Sequence, residues 1–201
     1  QEDLERCKTI ILDAISEEQK QFRVDVSYIK HNILKNDKIA TPTSTMKFLC
    51  REYDLWNVMI FDSEGKFLYG SGNNSEISTD SEKQCLRVSK DNTISVYTTI
   101  KNNEVLLTCG CRLDNEDGNV LIFQKALSEL KWIEKYADYI NCNISYFIDD
   151  VRVETNIEVA HQEYFNNTPL DNNKIIDIVY ENGNSFKGTS RVNGQNYAAL
   201  Y

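Results

Sequence analysis

Two arginines set among aromatic and hydroxyl side chains are the residues best suited to hold a small ligand. Arg87, in a polar segment, and Arg112, at the end of an alternating strand, each carry a guanidinium fork that matches a carboxylate bidentately. A surface ion pair is the competing assignment for both. Trp56, Tyr69 and Tyr97 could wall a pocket, since small-ligand sites are mostly apolar with a few placed polar groups, or could serve as plain core. Thr99 and Thr108 offer hydroxyls, while Ser71, Asp80 and Asp91 either cap a ligand amine or solvate a loop. Catalysis finds little footing: there is no GxSxG, no phosphate loop and no HExxH, and His161 beside Glu163 has no nucleophile near it in sequence. No cofactor is expected.

Metal chemistry is equally poorly supplied. Six cysteines (Cys7, Cys50, Cys85, Cys109, Cys111, Cys142) and two histidines do not show the spacing of a zinc cage, and six are too few for a disulfide scaffold. Cys109 and Cys111 stand two apart on an apparent strand, so they share a face and read as buried small hydrophobes. The other four leave room for one or two bridges. The formal charge of -9 argues against nucleic acid or an anionic membrane surface as partner, because both are polyanions. No window approaches a membrane span, and the chain begins at Gln1 without a Met or an apolar leader, which reads as a segment of a longer protein.

The elements that must position these residues begin with a long helix. Leu4, Ile11, Ile15, Phe22, Val26, Ile29 and Ile33 recur at spacings of three, four and seven, the stripe of an amphipathic helix over residues 1–40. About 33 such residues would reach roughly 50 Å, farther than one 80-residue lobe is wide. Lys8 and Glu18 interrupt a coiled-coil seam, which favours packing against the chain's own lobes. After Pro42, Thr43 or Ser44 could cap a second helix through about Tyr53. Strands follow. Trp56 to Asp62 and Lys66 to Gly70 form a hairpin about Gly65, a short helix is expected around Glu82 to Val88, and "TISVYTTIKNNEVLLTCGCR" forms a hairpin about Asn102-Asn103.

That second turn sets a register. Ile100 then pairs with Val105, Thr98 with Leu107 and Val96 with Cys109 on an apolar face. Thr99 opposes Leu106, Tyr97 opposes Thr108 and Ser95 opposes Gly110 on a mixed face suited to solvent or a polar ligand cavity. A strand at Asn119 to Gln124 follows the Asp117-Gly118 turn. A helix is expected from Ala126 to about Ile140, then strands around Asp149-Asp150, a loop with Pro169, a helical stretch near Asn173 to Tyr180, and a hairpin about Asn193-Gly194.

Set side by side, the two halves say nearly the same thing. Phe61-Asp62 aligns with Ile148-Asp149 and Asn102-Asn103 with Asn193-Gly194, at offsets of 87 and 91 residues, which suits two copies of one small α+β lobe. Five-stranded antiparallel sheets with helices on one face and a pocket on the other are the PAS-like plan. The phrases "DxxGKxLYxSG" and "DDxRVxTN…GTSRVNGQNYAALY", behind a long leading helix, resemble the double Cache extracellular sensor domains of bacterial chemoreceptors and sensor kinases. Arg152, Val153, Thr155, Asn156, Gly188, Thr189, Gly194 and Tyr197 carry the second phrase; the chain departs from the family pattern between Asn156 and Lys174.

The resemblance implies an α+β fold with a long N-terminal stalk helix (1–40), a membrane-distal Cache lobe (41–125) and a membrane-proximal one (126–201). It implies an extracellular or periplasmic sensor, homodimeric in a full-length receptor and anchored only through flanking transmembrane helices. A small metabolite such as an amino acid, carboxylate or amine is then expected in the distal lobe, with Trp56, Tyr69, Ser71, Arg87, Tyr97, Thr99, Thr108 and Arg112 as its candidate contacts. Arg152, Thr155, Asn156, Gly188, Gly194 and Tyr197 are expected to hold structure. Methyl-accepting and kinase outputs both remain open, as does a ligand-free module read by a partner protein.

Overall fold

The computed structural model describes residues 2–34, 42–72, 83–84, 87–88, 94–101, 104–113, 117–127, 130–160 and 163–201. The Asn102-Asn103 turn, Asp80, Asp91 and His161 lie outside them. The chain divides into two units, residues 16–127 in one and residues 1–15 with 128–201 in the other. Both draw on α1 (Glu2–Tyr28), a single 27-residue helix. Its buried Phe22, Val26 and Ile29 follow the four-then-three spacing of one helical face. A π-helical turn then runs over Ile29–Ile33, where the Leu34 N–H donates to Ile29 O at 3.1 Å, and Leu34 is buried five positions after Ile29. The remainder of the expected 40-residue helix lies outside the described residues.

In residues 16–127 one antiparallel sheet holds five strands: β1 (Asn57–Phe61), β2 (Phe67–Gly72), β3 (Ser95–Lys101), β4 (Glu104–Arg112) and β5 (Val120–Ala126), in the order β2-β1-β5-β4-β3. The β1–β2 turn is built by Asp62, whose carboxylate accepts from the N–H groups of Glu64 (3.0 Å) and Lys66 (2.8 Å), and by Gly65 at φ +88°. Every β3–β4 pair expected from the alternation is present, from Ser95 opposite Gly110 to Ile100 opposite Val105. α2 (Pro42–Glu52) begins at Pro42, so Thr43 and Ser44 lie inside its first turn rather than capping it. Pro suits that place because it has no N–H to leave unpaired.

One face of the sheet carries Val58, Ile60, Leu121, Phe123, Lys125, Val105, Leu107, Cys109 and Cys111. It faces the helices: Lys125 Nζ lies 3.3 Å from Glu18 Oε2 of α1, and Cys50 of α2 donates to Ser71 O at 3.1 Å. Burial raises the pKa of the Cys109 thiol, which holds it protonated. Cover thins at the edge strand: Thr98 and Ile100 sit on this same face yet are exposed. Strand β5 continues through Ala126, with Lys125 opposite Leu107 and Ala126 opposite Leu106. The helix expected from Ala126 therefore starts later.

That helix, α3 (Leu130–Ile140), belongs to the other unit and buries Ile133 and Ala137, one turn apart. Asn141 ends it at φ +53°, with the Cys142 N–H bonded back to Ala137 O at 3.1 Å, the geometry of a Schellman motif. Instead of one five-stranded sheet, the described residues of this unit form three small ones. β6 (Ser145–Ile148), β7 (Val151–Thr155) and β10 (Thr168–Pro169) form the order β10-β7-β6; β8 (Glu158–Ala160) pairs with β9 (Glu163–Tyr164); β11 (Lys187–Val192) pairs with β12 (Gln195–Leu200). Pro169, with no N–H to give, stands on an edge strand. β8, β9 and β10 fall where the sequence reads as loop. The β11–β12 turn is Asn193-Gly194, at φ +47° and +76°, as a two-residue primed turn requires. α4 (Asn173–Ile176) continues as a π-helical turn over Asp177–Glu181. Leu170, Ile175 and Phe186 form the core there, with Phe147 and Tyr201 against it.

Candidate functional site

The sheet face turned away from the helices is where polar side chains collect. Register places Asn57 of β1 opposite Gln124 of β5, Gln124 opposite Thr108 of β4, and Thr108 opposite Tyr97 of β3. Paired residues share a face, so the four form one row across four strands. Asn57, Gln124 and Thr108 are 0%, 1% and 0% exposed. The Gln124 amide donates to Thr108 Oγ1 at 3.4 Å, and Thr108 Oγ1 lies 2.6 Å from Thr99 Oγ1, a diagonal neighbour. Gln124 Oε1, an acceptor, and Gln84 Nε2, a donor, are buried with no hydrogen-bond partner among the described residues.

Cations stand beside the row. The Arg87 guanidinium lies 5.6 Å from the centre of the Tyr97 ring, and Lys101 Nζ lies 5.8 Å from that of Trp56. Lys101 shares the face of Tyr97 and Thr99 by alternation and is buried. Farther along the face the surface turns apolar. Met59, Phe61, Val120 and Ile122 pack with Val88 of the covering segment, and Phe67 closes on them. Gly110 is the notch that admits this cover: a Cβ there would lie 2.6 Å from Val88 Cγ2 and 3.0 Å from Ile122 Cδ1.

The structure thus brings Tyr97, Thr99, Thr108 and Arg87 together, with Trp56 at the Lys101 end. Tyr69 and Ser71 lie elsewhere. They pair with Ile60 and Val58, so their side chains belong to the helix-facing side of the sheet. The reason is parity: in β2 the positions on the polar row's face are Gly70 and Gly72, which have no side chain. Arg112 shares the face but stands four residues from Thr108, about 13 Å along the strand. Its guanidinium lies over Gly118, whose added Cβ would meet Nη2 at 2.7 Å. Asn57, Gln124 and Lys101 escaped notice in the sequence; the available sign was a polar letter at an inward position of an otherwise apolar strand.

In the second unit Arg152 is 3% exposed, with no carboxylate paired to it among the described residues. Its Nε donates to Ser145 Oγ at 3.2 Å and its Nη1 to Thr168 Oγ1 at 2.7 Å, and the guanidinium lies between the rings of Phe147 (4.8 Å) and Phe165 (5.2 Å). Burial pulls its pKa below the ordinary arginine value, while the Tyr201 side chain acts the other way. Thr155 Oγ1 donates to Ile144 O at 2.8 Å, and Asn156 Oδ1 accepts from the Ile144 N–H at 2.7 Å. Gly188 leaves room for the Phe186 ring, which a Cβ would meet at 2.7 Å; Gly194 makes the turn; Tyr197 donates to Gln195 Oε1 at 2.9 Å. Among the described residues no cluster of His, Cys, Asp and Glu is placed to hold a metal, and no helix is long and apolar enough to cross a membrane.

Residues 124–201 match the family model described as single Cache domain 3. Among solved structures, the periplasmic domain of Vibrio cholerae LuxQ is similar with a TM-score of 0.57 at 14% identity, over 97% of this chain and 95% of that one. The sensory domain of the Campylobacter jejuni chemoreceptor Tlp3 (CcmL) is similar with a TM-score of 0.52 at 14% identity, over 97% of this chain and 83% of that one. No curated protein matches the sequence. The chain therefore has the α+β fold of Cache-type sensor domains along its length, and its residues 124–201 carry the sequence pattern of the single Cache domain 3.

Proposed function

We propose that the chain is the extracellular or periplasmic ligand-binding part of a transmembrane receptor. A small polar metabolite, an amino acid, carboxylate or amine, would sit in the lobe of residues 16–127, the membrane-distal one. Residues 128–201 would form the membrane-proximal lobe and pass the change through membrane helices to a methyl-accepting or kinase module, in a homodimer. The observation that carries this reading is the row of Asn57, Gln124, Thr108 and Tyr97, the first three of them buried. Buried polar groups are costly unless bonded, and a sheet face intended only as core would be apolar at these positions. Gln124 Oε1 accepts nothing among the described residues, and Arg87 over Tyr97 supplies the charge that a carboxylate would seek.

A thermal-shift screen against amino acids, organic acids and amines tests it. Binding to the folded state raises the midpoint by mass action, about 2.7 kcal/mol of stabilisation at a hundredfold excess over Kd. Thr108→Val and Gln124→Leu should abolish the shift while unfolding stays cooperative. A broad library without any hit, or a shift indifferent to both substitutions, would sink the proposal.

A further inference from the structure

We propose that Cys7 and Cys142 are a site of covalent modification, a disulfide that pins the start of α1 to the end of α3 within the unit of residues 1–15 and 128–201. Their sulfurs lie 3.5 Å apart, one thiol donating to the other, and Cys7 Sγ is also 4.0 Å from Ile140 O. Both thiols are half-buried. A disulfide has sulfurs about 2.05 Å apart, so closure asks the two atoms to approach by about 1.5 Å, a distance that side-chain rotation can supply.

The backbones on either side are already fixed. Cys7 stands in the second turn of α1, and Cys142 is held by the bond from its N–H to Ala137 O that terminates α3. The first turns of α1 are tied to the same unit by Lys187 Nζ, 3.1 Å from Glu5 Oε1, and by Lys8 Nζ, 3.4 Å from Ser185 Oγ. Other described thiols are committed elsewhere: Cys50 donates to Ser71 O, and Cys109 is closed off in the sheet core.

The reaction is exchange with a small or protein-borne disulfide, RSSR. The Cys7 thiolate attacks one sulfur of RSSR, forming a mixed disulfide and releasing RS⁻. The Cys142 thiolate then attacks the Cys7 sulfur and expels the second RS⁻. Both protein thiols are oxidised, RSSR is reduced to two thiols, and the two protons leave on them. Burial and the neighbouring Cys7 raise the pKa of Cys142, which lowers its thiolate fraction at neutral pH. The ring closed in this way spans positions 7 to 142, and a loop of that length lost from the unfolded ensemble strengthens the folded state.

The test exposes the purified chain to a mixture of oxidised and reduced glutathione, followed by alkylation, intact mass and protease mapping. The expected result is loss of two hydrogens, a cross-linked peptide pair containing Cys7 and Cys142, and a midpoint raised by roughly 5–10 °C over the reduced chain. Cys7→Ser and Cys142→Ser should each remove the cross-link and the shift, while matching the wild type under reducing conditions. Alkylation of both cysteines after oxidation, glutathione adducts that never resolve, or a cross-link to other cysteines would overturn the proposal.

Discussion

Tyr146 takes its hydroxyl into the interior of its lobe with no partner among the described residues, beside a Trp132 ring whose centre lies 6.1 Å away. A buried hydroxyl without a partner costs free energy that a phenyl ring would not, so Tyr146→Phe should stabilise the protein by about 1 kcal/mol in urea denaturation. The same burial raises the Tyr146 pKa above the ordinary 10.0. A raised phenol contributes stability that is whole below the unfolded value and is lost as pH climbs from there toward the folded one. Stability should therefore fall above about pH 10, and less steeply in Tyr146→Phe. Arg152 behaves oppositely. Arg152→Met roughly keeps the volume but removes the bonds to Ser145 and Thr168 and the cation from the ring faces of Phe147 and Phe165, which should cost about 2–3 kcal/mol. A gain in stability from that substitution would show the guanidinium to be a burden.

Among the elements, the β3–β4 hairpin was legible to the last pair because strict alternation on both strands leaves one register that keeps faces consistent. The neighbouring question, which strand lies beside which hairpin, was not. β5 inserts between β1 and β4, and that pairing joins residues some sixty positions apart with no local turn to announce it. The polar row depends on this insertion, so Asn57 and Gln124 stayed hidden while Thr108 and Tyr97 did not. Tyr69 and Ser71 went to the other face for a related reason, since nothing local shows which side of β2 the helices cover. The cover itself makes a sharp prediction. Gly110→Ala puts a methyl 2.6 Å from Val88 Cγ2 and should cost about 2 kcal/mol, with most of the loss recovered when Val88→Ala is added. Equal losses in single and double variants would place the strain elsewhere.

At the scale of the whole molecule, the boundary between the two units falls within α1, residues 2–15 going with one and 16–28 with the other. The expectation of a long helix came from spacings of three, four and seven, which miss the change of pitch at its end: Ile29 and Leu34, five apart, are both buried. The wide turn at Ile29–Ile33 reconciles them. In an α-helix each residue advances the face by 100°, so one extra residue would turn Leu34 away from the core, and the π-helical turn absorbs it. That makes the turn a tolerant place for length variation. Deleting exposed His31 should leave the thermal midpoint nearly unchanged, because the shortened segment closes as an ordinary α turn and Leu34 keeps its heading. Deleting exposed Arg23 should cost about 2–4 kcal/mol, since it rotates Ile29 by 100° relative to Phe22 and takes a large side chain off the core. Insertions and deletions, ordinarily ruinous to a helix with a buried face, therefore have one harmless address on this one.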